Sequence, residues 1–208
     1  MSFFSQTLAV RGNRPFQNGL HYFEILFQEP LYGTAICVGL GTEDCQLNYD
    51  NFEYCNLVGR DSYSYGLCHK GTVCHNNESR NYCEPFFEKD TVVGVLVDMA
   101  RKEIHYFINN KYMGLAFTWV QVIMKYDNCL YTDIKNFYFS KISTNKPLYA
   151  MVSSTSTDQS IQLINTYTVF YSLQDLCCQV ICRNCDCKHL ESLPLSRRLI
   201  NHLKYNVN

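Results

Sequence analysis

From about residue 8 to residue 168 the chain alternates short apolar runs with Gly, Asn and Asp. Leu20-His21-Tyr22-Phe23-Glu24-Ile25-Leu26-Phe27 is rich in aromatic and branched side chains and too short for a stable helix, so it predicts a strand. Ala35-Ile36-Cys37-Val38-Gly39-Leu40 and Val92-Val93-Gly94-Val95-Leu96-Val97 lack polar alternation and predict strands buried on both faces. Ile104–Ile108 and Tyr112–Phe117 flank Asn109-Asn110-Lys111, which predicts a hairpin because Asn tolerates the positive φ of a tight turn. Leu148–Val152 and Ile161–Ile164 predict two closing strands. Many short strands at this spacing imply an all-β sandwich.

The pattern changes near residue 170. Leu173, Leu176, Cys177, Val180 and Ile181 recur at three- and four-residue steps, which places them on one face of a helix with Ser172 as its N-cap. A polar, Cys-rich linker covers Arg183 to Glu191. Leu193-Pro194-Leu195 then leads into a second helical stretch, with Leu195, Leu199, Ile200 and Leu203 on one side and Arg197, Arg198 and Lys204 on the other. About 35 residues cannot bury so much apolar surface among themselves, so these stripes either fold back onto the sandwich or meet another protein.

Composition narrows the function. The chain has 208 residues, 47% apolar and 14% aromatic, as expected of one packed domain with a small appendage. A formal net charge of −1, with no Lys/Arg run, provides no field for nucleic acid or an anionic membrane. Met1-Ser2-Phe3-Phe4-Ser5-Gln6 lacks the charged and apolar regions of a signal peptide, and no run of 18 apolar residues exists to span a bilayer. The 12 cysteines are therefore expected to remain reduced in an intracellular, cytoplasmic or nuclear, protein. The sequon Asn77-Glu78-Ser79 matters only to a secreted chain.

Ser172-Leu173-Gln174-Asp175-Leu176-Cys177-Cys178-Gln179-Val180-Ile181 resembles the BC box, the Elongin C-binding helix of SOCS-box proteins. Leu193-Pro194-Leu195-Ser196-Arg197-Arg198-Leu199 resembles the cullin box that follows it, with Ser196 where the cullin-5 version has Pro. Upstream, Val10-Arg11-Gly12, Gly19–Ile25, Tyr32-Gly33-Thr34, Val38–Thr42, Leu57-Val58-Gly59-Arg60-Asp61, His69-Lys70-Gly71, Val95–Met99 and Gly114–Phe117 resemble a SPRY domain in their order. SPRY followed by a SOCS box is the arrangement of the SPRY domain-containing SOCS box family. The resemblance implies a SPRY (B30.2-like) antiparallel β-sandwich over residues 1–169 and a small α-helical SOCS box over 170–208, with its BC box at 172–181 and a cullin-box-like segment at 193–203.

It also implies a non-catalytic substrate receptor of a ubiquitin ligase. Elongin B/C would be held by Leu173, Leu176, Cys177, Val180 and Ile181. A cullin, cullin-5 favoured, with its RING subunit would be held by Leu193, Pro194, Leu195 and Leu199. A short linear degron of a target would be held by Thr34, Tyr54, Thr155, Ser156 and Thr157. The loop Thr155-Ser156-Thr157 stands where some relatives have Val-Trp-Gly, so their ligands do not transfer. The resemblance further implies that the family's first strand or strands are missing and that about 20 extra residues, many of them apolar, are inserted at about 118–140, between Phe117 and Pro147. The alternative is a SPRY interaction module without ligase coupling.

No cofactor or metal is expected. Cys178, Cys182, Cys185, Cys187 and His189 contain one knuckle-like pair, Cys182-Arg183-Asn184-Cys185, whereas a zinc site usually brings two. Cys68-His69 and Cys74-His75 offer thiols beside imidazoles, but neighbours on a strand point to opposite faces, and His69 and His75 read as loop or edge residues. Asp98 and Glu103 bracket the Met99–Lys102 turn and read as turn chemistry.

Overall fold

Period-two apolar residues build two antiparallel sheets whose inner faces meet. The computed structural model describes residues 7–48, 54–118, 146–156, 159–185 and 187–205, so Thr157 and residues 119–145, the bulk of the expected insertion, lie outside the described residues. The chain divides into two compact units, Met1–Thr168 and Val169–Asn208.

In the first unit, β1 (Leu8–Arg11), β3 (Ile36–Gly41), β4 (Ser64–Cys68), β5 (Thr72–His75), β6 (Glu78–Asn81) and β10 (Tyr149–Ser154) form a six-stranded sheet in the order β1-β10-β3-β4-β5-β6. The strands β2 (Leu20–Phe27), β7 (Thr91–Asp98), β8 (Glu103–Ile108), β9 (Lys111–Thr118) and β11 (Ile161–Val169) form a five-stranded sheet in the order β11-β2-β7-β8-β9. Phe23, Ile25 and Phe27 from β2, with Val93, Val95 and Val97 from β7, pack against Ile36, Val38, Leu40, Tyr65 and Leu67 of the other sheet. The Tyr106 hydroxyl crosses the core to donate to the Val38 carbonyl at 3.3 Å, which satisfies its polar end.

The predicted hairpin forms between β8 and β9, with φ of 48° at Asn109 and 64° at Asn110. β3 is buried on both faces, as its unbroken apolar run predicts. In β7 the outward residues Val92 and Leu96 are only half-buried, while Gly94 lies beneath the Tyr22 and Phe107 rings. The Asp98 carboxylate accepts from the Ala100 and Arg101 amides at 2.9 and 2.7 Å, so it shapes the β7–β8 turn.

The outer face of the six-stranded sheet is covered by the loop between β3 and β4. Cys45 and Val58 of this loop pack on Cys37, Cys68, Cys74 and Met151 of the sheet. Glycines allow the close approach: a Cβ on Gly66 would lie 2.7 Å from the Val58 carbonyl oxygen. Gly59 has φ of 96°, and a Cβ there would lie 2.4 Å from the Cys74 carbonyl oxygen.

In the second unit, α1 (Leu173–Asn184) starts at Ser172, whose side chain accepts from the Asp175 amide while the Asp175 carboxylate accepts from the Ser172 amide. A 3-10 turn at Cys187–Ser192 occupies much of the stretch expected to be a polar linker. It is followed by α2 (Arg197–Tyr205). Cys178, Leu190 and Leu203 form a small core, with Ile181, Cys182, Cys185, Leu193 and Leu195 against it. Of the two expected stripes only Ile181, Leu195 and Leu203 enter this core, while Leu173, Leu176, Cys177 and Val180 stay exposed.

Candidate functional site

Two surfaces collect the residues that the sequence singled out, one in each unit. At one end of the six-stranded sheet, the pairing register brings distant loops together. Leu8 pairs with Ser154, and Ser154 with Ile36. One step beyond this row, Thr155 donates its amide to the Ala35 carbonyl at 3.0 Å and accepts the Ala35 amide on its hydroxyl at 3.1 Å. These bonds fix the turn that carries Thr34, which is exposed. Thr7, preceding β1, accepts the Cys55 amide at 3.2 Å and so ties in Tyr54, 49% exposed.

Thr34, Tyr54, Thr155 and Ser156 thus belong to one loop cluster, but they do different things. Thr34 and Tyr54 face solvent, whereas Thr155 is 8% exposed with its hydroxyl engaged by the backbone, so it positions the cluster. Ser156 is half-buried and held by the Ser154 hydroxyl at 3.0 Å.

Two aromatics beside these residues escaped the sequence analysis. Tyr32 is 76% exposed two residues before Thr34, and Phe87 is held beside Leu31 by the Leu31 amide donating to its carbonyl at 3.0 Å. Tyr32 lies in a segment already quoted for its resemblance, and an aromatic at a loop tip was the available signal. Phe87 had none, because its place depends on pairing across the sheet.

His69 and His75, read from sequence as loop or edge residues, are both buried. His69 contacts the Phe87 ring edge-on at 5.4 Å between centroids, and His75 stacks on Tyr65 at 4.1 Å. Cys68 and His69 do not point apart either. β4 ends at Cys68, and its Sγ lies 3.5 Å from His69 Nδ1.

The second surface is the outward ridge of α1. Leu173 is 78% exposed and Val180 59%, with Leu176 and Cys177 also exposed between them. Positions one turn apart on a helix form a continuous strip, so these four make an apolar ridge. Ile181, expected on the same face, is half-buried and packs on the small core, at the border between ridge and interior. On the inner side the Cys182 thiol faces the Leu203 carbonyl at 3.9 Å, and Cys178 is buried in the core.

The four residues of the cullin-box-like segment are divided. Leu193 and Leu195 are half-buried against the small core, Pro194 is exposed, and Leu199 is half-buried on α2. Ser196 has a local role: its hydroxyl accepts the Leu199 amide at 3.4 Å and its carbonyl accepts the Ile200 amide at 3.0 Å, which makes it the N-cap of α2.

Comparison with known proteins gives a family match for each of the two units. The SPRY domain family matches residues 20–126, and the SOCS box family matches residues 171–204. SPRY domain-containing SOCS box protein 3 of Xenopus tropicalis is 31% identical over 199 residues, covering 94% of this chain and 48% of that protein. SPRY domain-containing SOCS box protein 1 of Homo sapiens is 31% identical over 124 residues, covering 53% of this chain and 43% of that protein. The chain spans about half the length of the curated relatives it matches. The crystal structure of the SPRY domain of human HERC1 superposes with a TM-score of 0.51 and 14% identity, covering 77% of this chain and 83% of the other, a likeness that bears on the fold alone.

Proposed function

The chain belongs to the SPRY domain-containing SOCS box family, and on that premise we propose that it is a substrate-recognition subunit of an Elongin–cullin–RING ubiquitin ligase acting inside the cell. The sandwich captures a short linear degron of a target at the loop cluster of Thr34, Tyr54 and Ser156, with Thr155 holding the cluster in shape; Thr157, outside the described residues, is proposed as a further contact. The SOCS box holds Elongin B/C through Leu173, Leu176, Cys177, Val180 and Ile181. A cullin, with cullin-5 favoured, meets the segment of Leu193, Pro194, Leu195 and Leu199. The chain supplies no chemistry to ubiquitin transfer; it raises the effective concentration of the target's lysines beside the charged E2. Loop capture of a short segment is expected to be modest in affinity, and avidity can raise it.

The observation that carries this reading is the α1 ridge. A helix that leaves Leu173 78% exposed, in a unit with only a small core, has the form of an amphipathic element awaiting a groove. The rival, a SPRY interaction module without ligase coupling, draws on the cis packing of Cys178, Leu190 and Leu203. Affinity purification with mass spectrometry under proteasome inhibition tests the proposal. Wild type should bring down Elongin B/C, a cullin and accumulating targets, whereas Leu173→Asp should keep the targets and lose the ligase subunits. Absence of Elongin C from the wild-type eluate would favour the rival, and its retention by the variant would overturn the assignment to the Leu173 ridge.

A further inference from the structure

The loop beneath Tyr54 lies on a row of sulfur atoms to which the receptor reading gives no role. Cys37 and Cys68 are cross-strand partners on β3 and β4, 0% and 1% exposed. The neighbouring pair, Ile36 and His69, is joined by the His69 amide donating to the Ile36 carbonyl at 2.9 Å. Antiparallel pairs alternate, so Cys37 and Cys68 occupy a non-hydrogen-bonded site, where Cα atoms approach to about 4.5 Å and side chains lie closest. That separation falls within the span a disulfide requires, roughly 4.4–6.8 Å between Cα atoms.

The two thiols are not equivalent. The Cys37 thiol donates to the Cys68 sulfur, which holds Cys68 below the ordinary thiol range and Cys37 well above it. His69 Nδ1, 3.5 Å from the Cys68 sulfur, acts on Cys68 in the same direction. A more acidic thiol against a less acidic one is the arrangement of an attacking and a resolving cysteine. On the same face, Ser153 pairs with Cys37, and its buried hydroxyl has no partner among the described residues.

We propose that Cys37 and Cys68 are a redox-sensitive pair that closes to a cross-strand disulfide when the protein meets a hydroperoxide. In the first step the Cys68 thiolate attacks a peroxide oxygen. The O–O bond breaks, Cys68 becomes a sulfenic acid, and the departing oxygen takes up the proton that Cys68 released on ionising, to leave as water or an alcohol. In the second, the Cys37 sulfur attacks the Cys68 sulfur. The S–S bond forms, the S–O bond breaks, and hydroxide leaves with the Cys37 proton as water. Two thiols lose two electrons and the hydroperoxide gains them.

Closure acts on the loop above. The Cys68 sulfur lies 3.7 Å from the Asn56 side-chain oxygen, and bonding to Cys37 draws it out of that contact. Among the described residues Asn56 then keeps its contact with the Cys74 sulfur at 3.5 Å, so the segment bearing Tyr54 loses one of its holds. This coupling to target capture rests on the receptor reading above; formation of the disulfide does not. Because both sulfurs are covered, the loop must open before peroxide enters, and oxidation is gated by that opening.

The test uses the full chain, titrated with hydrogen peroxide, blocked with N-ethylmaleimide under denaturing conditions and digested without reduction. Mass spectrometry should find a peptide pair joined through Cys37 and Cys68 that disappears on reduction and survives in Cys74→Ser. Gly59→Ala, which pushes the loop off β5, should accelerate its appearance. If Cys37 and Cys68 are recovered alkylated at peroxide doses that oxidise exposed Cys177, or if Cys68 joins Cys74 instead, the proposal is overturned. The wild-type peptides decide the matter even where a variant fails to fold. Elongin C capture, measured in parallel, reports on the receptor reading separately.

Discussion

The sandwich and the C-terminal unit dispose of their apolar residues in opposite ways. In the sandwich Phe23, Phe27, Tyr65, Tyr106 and Phe117 are sealed between two sheets, and the outer face of one sheet is covered again by its own loop. In the C-terminal unit Cys178, Leu190 and Leu203 are fully buried, while Leu173, Leu176 and Val180 face outward from a twelve-residue helix. Fully burying a large apolar side chain contributes roughly 1.5–3 kcal/mol, so the first unit can carry its own stability and the second has little to spare. A surface that is apolar where its unit is weakest is what coupling of stability to a partner looks like.

The largest effect separates the two cores. Phe27→Ala should remove about 3–5 kcal/mol from the sandwich and lower its denaturant midpoint sharply. Leu203→Ala should leave that midpoint in place and raise hydrogen exchange across α1 and α2 alone. If Leu203→Ala lowers the sandwich transition as well, the two units are not energetically separate.

A smaller effect concerns the start of the ridge. Ser172→Ala removes the acceptor of the Asp175 amide and breaks the capping box, at a cost of about 1 kcal/mol. Faster exchange in the first turn of α1 and several-fold weaker capture of Elongin C are expected, with unchanged sandwich melting as the control.

The smallest effect is one of pH, and it too divides the units. Burial holds His21 and His75 below the ordinary histidine value of 6.5, against the opposing pull of their bonds to the Asn18 and Ser64 carbonyls. As pH falls below 6.5 the unfolded chain takes up protons that the folded sandwich resists, so sandwich stability is complete above that value and declines toward pH 5. The Ser172 bonds hold Asp175 below its ordinary value of 3.8, so the α1 cap stays ionised through this range and fails only in stronger acid. Thermal melts of wild type and His75→Gln between pH 5 and 8 should show a flatter decline in the variant.

What could be read in advance follows the same division. β2, β3, β7 and the Asn109-Asn110 hairpin declare themselves through unbroken or alternating apolar runs and a turn that needs positive φ. β4, β5 and β6 were missed, since Ser64, Gly66 and Thr72 look like loop residues until the covering loop buries their outer face, and Glu78–Asn81 is a polar edge strand. The ridge of α1 was visible as a three-and-four spacing, but its depth was not. Ile181 turns inward because the linker coils into a 3-10 turn and supplies Leu190 as a partner. The loop cluster was reachable only by resemblance. Ala35 and Thr155 are 120 residues apart and meet through sheet register, which no local spacing encodes. Likewise, the contact between Cys68 and His69 depends on where β4 stops.

Hydrogen exchange on the purified chain, with and without Elongin B/C, examines the central claim most directly. Binding should slow exchange along Leu173–Asn184 and leave Leu20–Phe27 and Thr91–Asp98 unchanged, and Leu173→Asp should abolish the slowing while the sandwich stays protected. Unchanged exchange in α1 at saturating Elongin B/C, or protection that survives Leu173→Asp, would contradict the account.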